Sequence, residues 1–520
     1  MQRPDSIEHI VIVGGGSAGW LTAGLLAGEY RLGGADGLRI TLVESPDVQT
    51  IGVGEGTWPT MRSTLQRIGI GESEFLIECS ASFKQGTRFD GWRTGAADDR
   101  YYHPFSPPAA YARLNLAPYW QARADAVSFA DAVTPQGQVC DRDLAPRPLD
   151  APDFSALLNY GYHLDAGRFA ALLQRHCTER LGVRHVLDHV TAVNGAPDED
   201  IRSVATAAHG EIAGDLFIDC TGFGALLLNG HYGISFVDRR DVLFNDSALA
   251  VQVPYGSATD PVASQTISTA QAAGWTWDIG LSSRRGVGYT WSSAHGDDAA
   301  AHGVLAAYVK ATAGLALEDL EPRKIGFRPG HRERFWHRNC VAVGMAAGFL
   351  EPLEASALVL IELAGRMIAE QLPATRATMD TVARRFNETF RYRWDRIVDF
   401  LKLHYVLSER TDTAYWIDQR DPDGIPASLS DLLDLWRDRA PWHRDFPQRD
   451  EVFSSASYQY VLYGMGFRST NATRAPRADR SAEAVALFEE NARRTRQQLG
   501  QLPSNRDILS YIEQRGAHAA

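Results

Sequence analysis

Ile10-Val11-Ile12-Val13-Gly14-Gly15-Gly16-Ser17-Ala18-Gly19 decides the fold. Four apolar, mostly β-branched residues read as a buried strand. The glycines that follow fit G-x-G-x-x-G, a turn whose bare backbone approaches a pyrophosphate at the positive end of a helix. Residues 20–30 have helical character and 38–43 are β-rich again, so the segment predicts strand, turn, helix, strand with a dinucleotide held at the turn. Glu44 ends the second strand about 25 residues on, where an acid holds a ribose 2′-hydroxyl and repels a 2′-phosphate. Gly14, Gly16, Ser17, Ala18, Gly19 and Glu44 are therefore candidate cofactor residues.

Outward from this unit, strand-like runs recur at 183–193, 215–220, 249–253, 286–291 and 340–343 among helical patches, which predicts a mixed α/β architecture. After about residue 370 the pattern changes. Val382, Phe386, Phe390, Trp394, Ile397 and Leu401 fall at helical spacing, with Arg384, Arg385 and Glu388 on the opposite face. The expected organisation is a core over 1–370, with insertions at about 85–160, and a mainly helical portion over 371–520 packed on it. Residues 421–426 and 474–480 carry the Pro or Gly breaks and polarity of loops.

Composition narrows the function classes. The 520 residues are 44% hydrophobic and 22% charged, the balance of an ordinary soluble globular protein. A net charge of -12 argues against nucleic acid as a partner, because phosphate binding needs a positive field. The polar N-terminus lacks the apolar core of a signal peptide, and the apolar stretch 357–369 is interrupted by Glu362 and Arg366, so a cytoplasmic location with no membrane partner is expected. Cys79, Cys140, Cys177, Cys220 and Cys340 are scattered and never in a C-x-x-C pair, which points to neither a disulfide framework nor a metal site.

The G-x-G-x-x-G leaves FAD and NAD open. Residues 214–224, GDLFIDCTGFG, add a second strand that ends in an acid, Asp219, and a glycine turn. Together the two elements resemble the glutathione-reductase-type FAD module of FAD-dependent monooxygenases and halogenases. A second G-x-G-x-x-G is missing from the sequence, so the flavin is expected to be reduced by another protein.

Further segments sharpen the resemblance. Gly52-Val53-Gly54-Glu55-Gly56-Thr57 precedes Pro59, Phe83-Lys84 is followed by Gln85-Gly86, and His103-Pro104-Phe105 and Tyr162-His163-Leu164-Asp165 come later. Trp275-Thr276-Trp277-Asp278-Ile279-Gly280 matches W-x-W-x-I-P with glycine in place of proline. Gly348-Phe349-Leu350-Glu351-Pro352-Leu353-Glu354-Ala355-Ser356 matches G-F-x-x-P-L-E-S-T with alanine after the glutamate. On these residues the chain resembles the flavin-dependent tryptophan halogenase family over nearly its whole length.

The resemblance implies an FAD-binding Rossmann-like box with an inserted sheet plus a mainly helical substrate portion. It implies an enzyme that uses FADH2, O2 and chloride or bromide to make hypohalous acid, which Lys84 presents to an electron-rich aromatic ring, an indole or a tryptophan-like molecule. Glu354 is the second catalytic residue by the same likeness. Ser356 and Ala357 offer backbone amides to the halide, His103 and Phe105 flank the substrate, and Trp275 and Trp277 guard the passage from flavin to lysine. Gly54, Val190, Asp219, Gly344 and Leu358 join the cofactor set. The implied partner is a separate NAD(P)H-dependent flavin reductase, and a homodimer is compatible with the family.

Elementary chemistry suits these assignments. A buried lysine can hold hypohalous acid by hydrogen bonding or as an N-halo amine, confining an otherwise indiscriminate oxidant to one point. A carboxylate can steady a cationic ring intermediate and take its proton. Amides at the start of a helix suit a halide ion. Without the resemblance each residue has a plainer reading: Lys84 as a surface cation, Glu354 as a helix-start acid, the aromatic residues as core. An FAD-dependent aromatic hydroxylase and a non-catalytic flavin-binding protein are the rival functions, and free tryptophan, another indole and a tryptophan-containing molecule all stay open as substrate.

Overall fold

The structure is a computed structural model that describes residues 6–33, 37–47, 54–448, 450–470 and 479–519. Gly52 and Val53, and most of the 474–480 segment expected as a loop, lie outside the described residues. The chain forms two compact units, each discontinuous in sequence: 1–80, 164–239 and 328–394 make the first, and 81–163, 240–327 and 395–520 the second. The change of pattern near 370 marks the approach to the helix Arg376–Val406 and not a border between units. Its apolar stripe is as expected, with Phe386, Phe390, Trp394, Ile397 and Leu401 buried and Arg384, Arg385 and Glu388 exposed.

The first unit is built on a six-stranded sheet with His9–Val13 near its centre. This strand pairs in parallel with Arg39–Glu44 on one side and Leu216–Asp219 on the other, Ile10 standing opposite both Ile40 and Leu216. Ile10, Val11 and Ile12 are fully buried, the continuous apolar run required of a parallel strand covered on both faces. Cys340–Ala342 continues the parallel order beyond Asp219, and Trp336–His337 closes that edge antiparallel. The helix Gly16–Glu29 begins four residues earlier than its pattern suggested, because only Gly14 and Gly15 are needed for the turn. It packs closely on the helix Ser356–Glu370, where a Cβ added at Gly365 would come within 2.7 Å of Leu25.

The run 183–193, expected as one strand, is two. Arg184–Leu187 edges the six-stranded sheet, while Val190–Asn194 belongs to an antiparallel three-stranded sheet with Ser203–Thr206 and Gly210–Ala213. The break falls at Asp188 and His189: the Asp188 amide still donates to the Glu44 carbonyl at 2.9 Å, while its carboxylate accepts the amides of Ala208 and His209 at 2.8 and 3.0 Å.

The second unit has a seven-stranded sheet in the order Arg323–Gly326, Ser247–Pro254, Arg284–Trp291, Gly274–Gly280, Thr266–Ala270, Gly86–Asp90, Arg100–Pro104. Leu305 and Val309 of the helix Asp298–Ala313 cover Val251, Val287 and Tyr289. Described elements after residue 395 are helical, yet they share a core with this sheet, as Trp416 on Trp92 shows at 5.6 Å between rings. That shared core is why a helical composition does not make a separate unit. No helix among the described residues is long and apolar enough to cross a membrane.

Candidate active site

In the first unit the carboxyl ends of His9–Val13, Arg39–Glu44, Leu216–Asp219 and Cys340–Ala342 lie side by side, the end of a parallel sheet where ligands bind. Gly14 turns the chain there with φ of 104°, and a Cβ on it would stand 2.3 Å from the Cys220 carbonyl oxygen. A Cβ on Gly15 would stand 2.0 Å from Glu44 Oε1, and one on Gly19 2.0 Å from the Gly14 carbonyl. Any side chain at these three positions collides with backbone or with the acid. Ser17, Ala18 and Gly19 occupy the first helical turn and Gly15 caps it without a side chain, so amides there point to an incoming anion. Gly344 has φ of 69°, and its Cβ would meet that of Ala18 at 2.7 Å. This bare cradle fits a dinucleotide pyrophosphate, with Glu44 alongside for a ribose.

Glu44 has partners within the protein: Trp20 Nε1 donates to it at 3.3 Å, and His185 Nε2 lies 3.1 Å away. Asp219 is fully buried and holds its own turn, accepting from Thr221 N and Oγ1 and from Leu227 N and Leu228 N. Burial raises its pKa above the ordinary carboxylate value, though those hydrogen bonds pull the other way. Gly54 opens the short strand Gly54–Gly56 and is buried, Val190 stands half-buried on its antiparallel strand, and Leu358 is buried in the first turn of Ser356–Glu370.

Just before that helix, Glu354 and Ala355 are both left-handed, at φ/ψ of 62/12° and 54/45°. Such conformations in non-glycine residues cost about 1–3 kcal/mol each and persist only where the surroundings impose them. Trp58 imposes part of this one, donating its indole N–H to the Glu354 carbonyl. The Glu354 side chain is buried. Ala355 caps the helix but carries no side-chain acceptor, so nothing from the cap residue competes for the amides of Ser356 and Ala357.

In the second unit Lys84 ends the strand Ser82–Lys84, which pairs antiparallel with 161–163. It is 1% exposed, and its Nζ lies 5.3 Å from the centre of the Phe105 ring. His163, fully buried, shares a hydrogen bond with Thr266 Oγ1 at 2.9 Å. Burial pushes its pKa well below the usual imidazole value, and the charge of Lys84 adds to the effect. His103 is buried among aromatic rings, with Phe400, Tyr460 and Phe453 at 5.6, 6.1 and 6.5 Å. Lys84, Phe105 and His103 thus fall in one unit: Gly86–Asp90, just after Lys84, pairs with Arg100–Pro104, which carries His103 and ends just before Phe105.

Trp275 and Trp277 are buried side by side, 6.2 Å between rings. Trp275 meets Trp92, and Trp277 lies flat over Gly288, where a Cβ would come within 2.0 Å of the indole. Gly280, in the place of the family's proline, is crowded by Val262 and Ala263, and its carbonyl accepts from Ser82 Oγ on the strand of Lys84. Sequence reading missed Phe400, Phe453 and the amide side chains around Phe105. They come from distant stretches with no motif of their own, and His163 alone had a signal, inside the Tyr162-His163-Leu164-Asp165 segment.

Residues 9–481 match the sequence model of the family described as tryptophan halogenase. The chain belongs to the tryptophan halogenase family. A 7-chloro-L-tryptophan 6-halogenase of Kutzneria sp. (strain 744) is 33% identical over 97% of this chain and 99% of its own length. A tryptophan 7-halogenase of Lentzea aerocolonigenes is also 33% identical, over 97% and 98%. Among solved structures, a tryptophan halogenase from Shewanella frigidimarina NCIMB 400 is 48% identical over 99% of both chains, with a TM-score of 0.95. A flavin-dependent halogenase from Brevundimonas sp. BAL3 is 32% identical over 97% and 99%, with a TM-score of 0.84. This member of the tryptophan halogenase family is accordingly a flavin-dependent halogenating enzyme, and the readings as a hydroxylase and as a non-catalytic flavin-binding protein fall away.

Proposed function

We propose that this halogenase places chlorine or bromine on an indole ring, with Lys84 as the residue that delivers the halogen. What carries the reading is a 1% exposed lysine whose ammonium stands 5.3 Å from the Phe105 ring, in an aromatic neighbourhood that includes His103. An ammonium kept from water is a hydrogen-bond donor that can hold hypohalous acid, and flat rings beside it suit an aromatic substrate. The names of the relatives, which act on tryptophan, support the substrate class.

The 14–19 turn, Glu44 and Gly344 would hold FAD. Bound as FADH2 it supplies, with O2, the oxidising equivalents that turn halide and a proton into hypohalous acid and water. The amides of Ser356 and Ala357 are assigned to the halide. Lys84 then keeps the hypohalous acid from diffusing; the ring bonds the halogen as the oxygen–halogen bond breaks, the departing hydroxide takes a proton from the Lys84 ammonium and leaves as water, and the displaced ring proton is assigned to Glu354, whose charge also steadies the cationic ring. A separate NAD(P)H-dependent flavin reductase is the proposed source of reduced flavin. The test is turnover of an indole panel, free tryptophan included, with reductase, NADH and chloride or bromide, read by mass spectrometry. Products heavier by one halogen, dependent on the halide, are expected. Hydroxylated products formed without halide would refute the reading.

A further inference from the structure

The main-chain polar groups of Phe105 and Ser106 are all held. Phe105 N–H donates to the Gln85 carbonyl at 3.0 Å, and the Phe105 carbonyl accepts from Asn159 Nδ2 at 2.9 Å. Ser106 N–H donates to Gln136 Oε1 at 2.6 Å, and the Ser106 carbonyl accepts from Tyr460 Oη at 2.8 Å. Gln136 links these segments. Its Nε2 donates to the Asn159 carbonyl at 2.6 Å and to Gln85 Oε1 at 3.2 Å, and it is fully buried. Gln85 in turn donates to the Leu144 carbonyl at 2.7 Å and directly follows Lys84.

A primary amide has one acceptor oxygen and two donor hydrogens, and Gln136 uses all three functions at once. No other side chain of its size does this: glutamate cannot donate, and methionine can do neither. A buried network satisfied in full is stiff, and what it stiffens here is the distance between Lys84 and Phe105. Neighbouring ring carbons lie one bond length apart, so a shift of about 1 Å decides which of them meets the halogen.

We infer that Gln136 is a positioning residue for regioselectivity, fixing Phe105 and Ser106 against the 84–85 segment so that one ring atom is offered to Lys84. This rests on the proposed roles of Lys84 and Phe105. Gln136→Met keeps the volume and removes the hydrogen bonds, whereas Gln136→Glu keeps the shape and the acceptor for Ser106 but loses both donations. With an indole that the native enzyme converts mainly to one isomer, both variants should bind FAD and form hypohalite from halide as the native enzyme does. The fraction of minor isomers should rise several-fold, with KM for the indole up about tenfold and kcat within a few-fold, the pattern of lost positioning. A structural role alone would lower the unfolding temperature and leave isomer ratio and KM unchanged, and that result overturns the inference. Should Gln136→Met not fold, Gln136→Glu decides by the same readings. Lys84→Met run alongside separates the two levels: regioselective product from it refutes the underlying roles, while its inactivity with unchanged isomer ratios in the Gln136 variants refutes only the role of Gln136.

Discussion

Trp58 donates its indole N–H to the main-chain carbonyl of Glu354 at 2.8 Å, tying the segment after Gly54-Glu55-Gly56-Thr57 to the left-handed turn that precedes the helix Ser356–Glu370. The bond offsets part of the strain of two consecutive left-handed residues and sets the direction in which the Glu354 side chain leaves the backbone. Trp58→Phe keeps a ring but leaves that carbonyl without its donor, a loss of about 1–3 kcal/mol. The unfolding midpoint in urea should fall, and ring halogenation should slow more than FAD binding weakens. Unchanged turnover in a destabilised variant would show that the bond serves the fold alone.

Lys84→Met should abolish ring halogenation while FAD binding and halide-dependent hypohalite formation persist. The substitution keeps the volume of a buried side chain and removes the amine, so lost packing cannot explain the loss of product. Glu354→Gln should be slowed by roughly ten- to a thousandfold, since it removes a charge and a proton acceptor but not the oxidant. Product analysis alongside a hypohalite trap checks both. Regioselective product from Lys84→Met would end the role proposed for the lysine.

Only one G-x-G-x-x-G turn, at 14–19, is present in the sequence, and the proposed FAD site uses it. NADH alone should therefore leave the visible absorbance of bound FAD intact for many minutes, and adding a flavin reductase should bleach it. Rapid bleaching by NADH in the purified chain would mean a second dinucleotide site built without that signature.

The sequence made the first βαβ unit legible because its signals are local: an apolar run, a glycine turn and an acid at fixed spacing. The roles proposed for Lys84 and Glu354 rest on likeness, since no spacing distinguishes a catalytic lysine from an ordinary one. What stayed hidden is long-range. Gln136 reaches the Ser106 amide across 30 positions and Asn159 the Phe105 carbonyl across 54. The apparent single strand 183–193 divides at Asp188, whose carboxylate binds amides 20 and 21 residues away. The late helices look like a domain of their own because periodicity reports a helix but not what its apolar stripe covers.

Glu362 should make stability depend on pH. It is fully buried on Ser356–Glu370, accepting from Thr64 Oγ1 at 2.6 Å and Thr60 Oγ1 at 3.1 Å. Burial pushes its carboxyl from the ordinary 4.5 up to about 7, against the downward pull of the two threonines and of Arg366. Between those values the folded protein keeps a proton that the unfolded chain releases, so the free energy of unfolding falls as pH rises. The contribution is complete below the unfolded pKa and lost as pH passes the folded one, with an upper size of about 3 kcal/mol. Glu362→Gln is neutral at every pH and keeps an oxygen for one threonine. Its unfolding midpoint in urea should decline less than that of the native protein from pH 5 to pH 8, so the difference between the two shifts in favour of the variant as pH rises. Arg366 also bonds Ser63 at 3.4 Å, so the variant leaves the neighbouring cation with a partner and the comparison reads the carboxyl itself. Parallel midpoints across that range would mean that Glu362 titrates as it does in the unfolded chain.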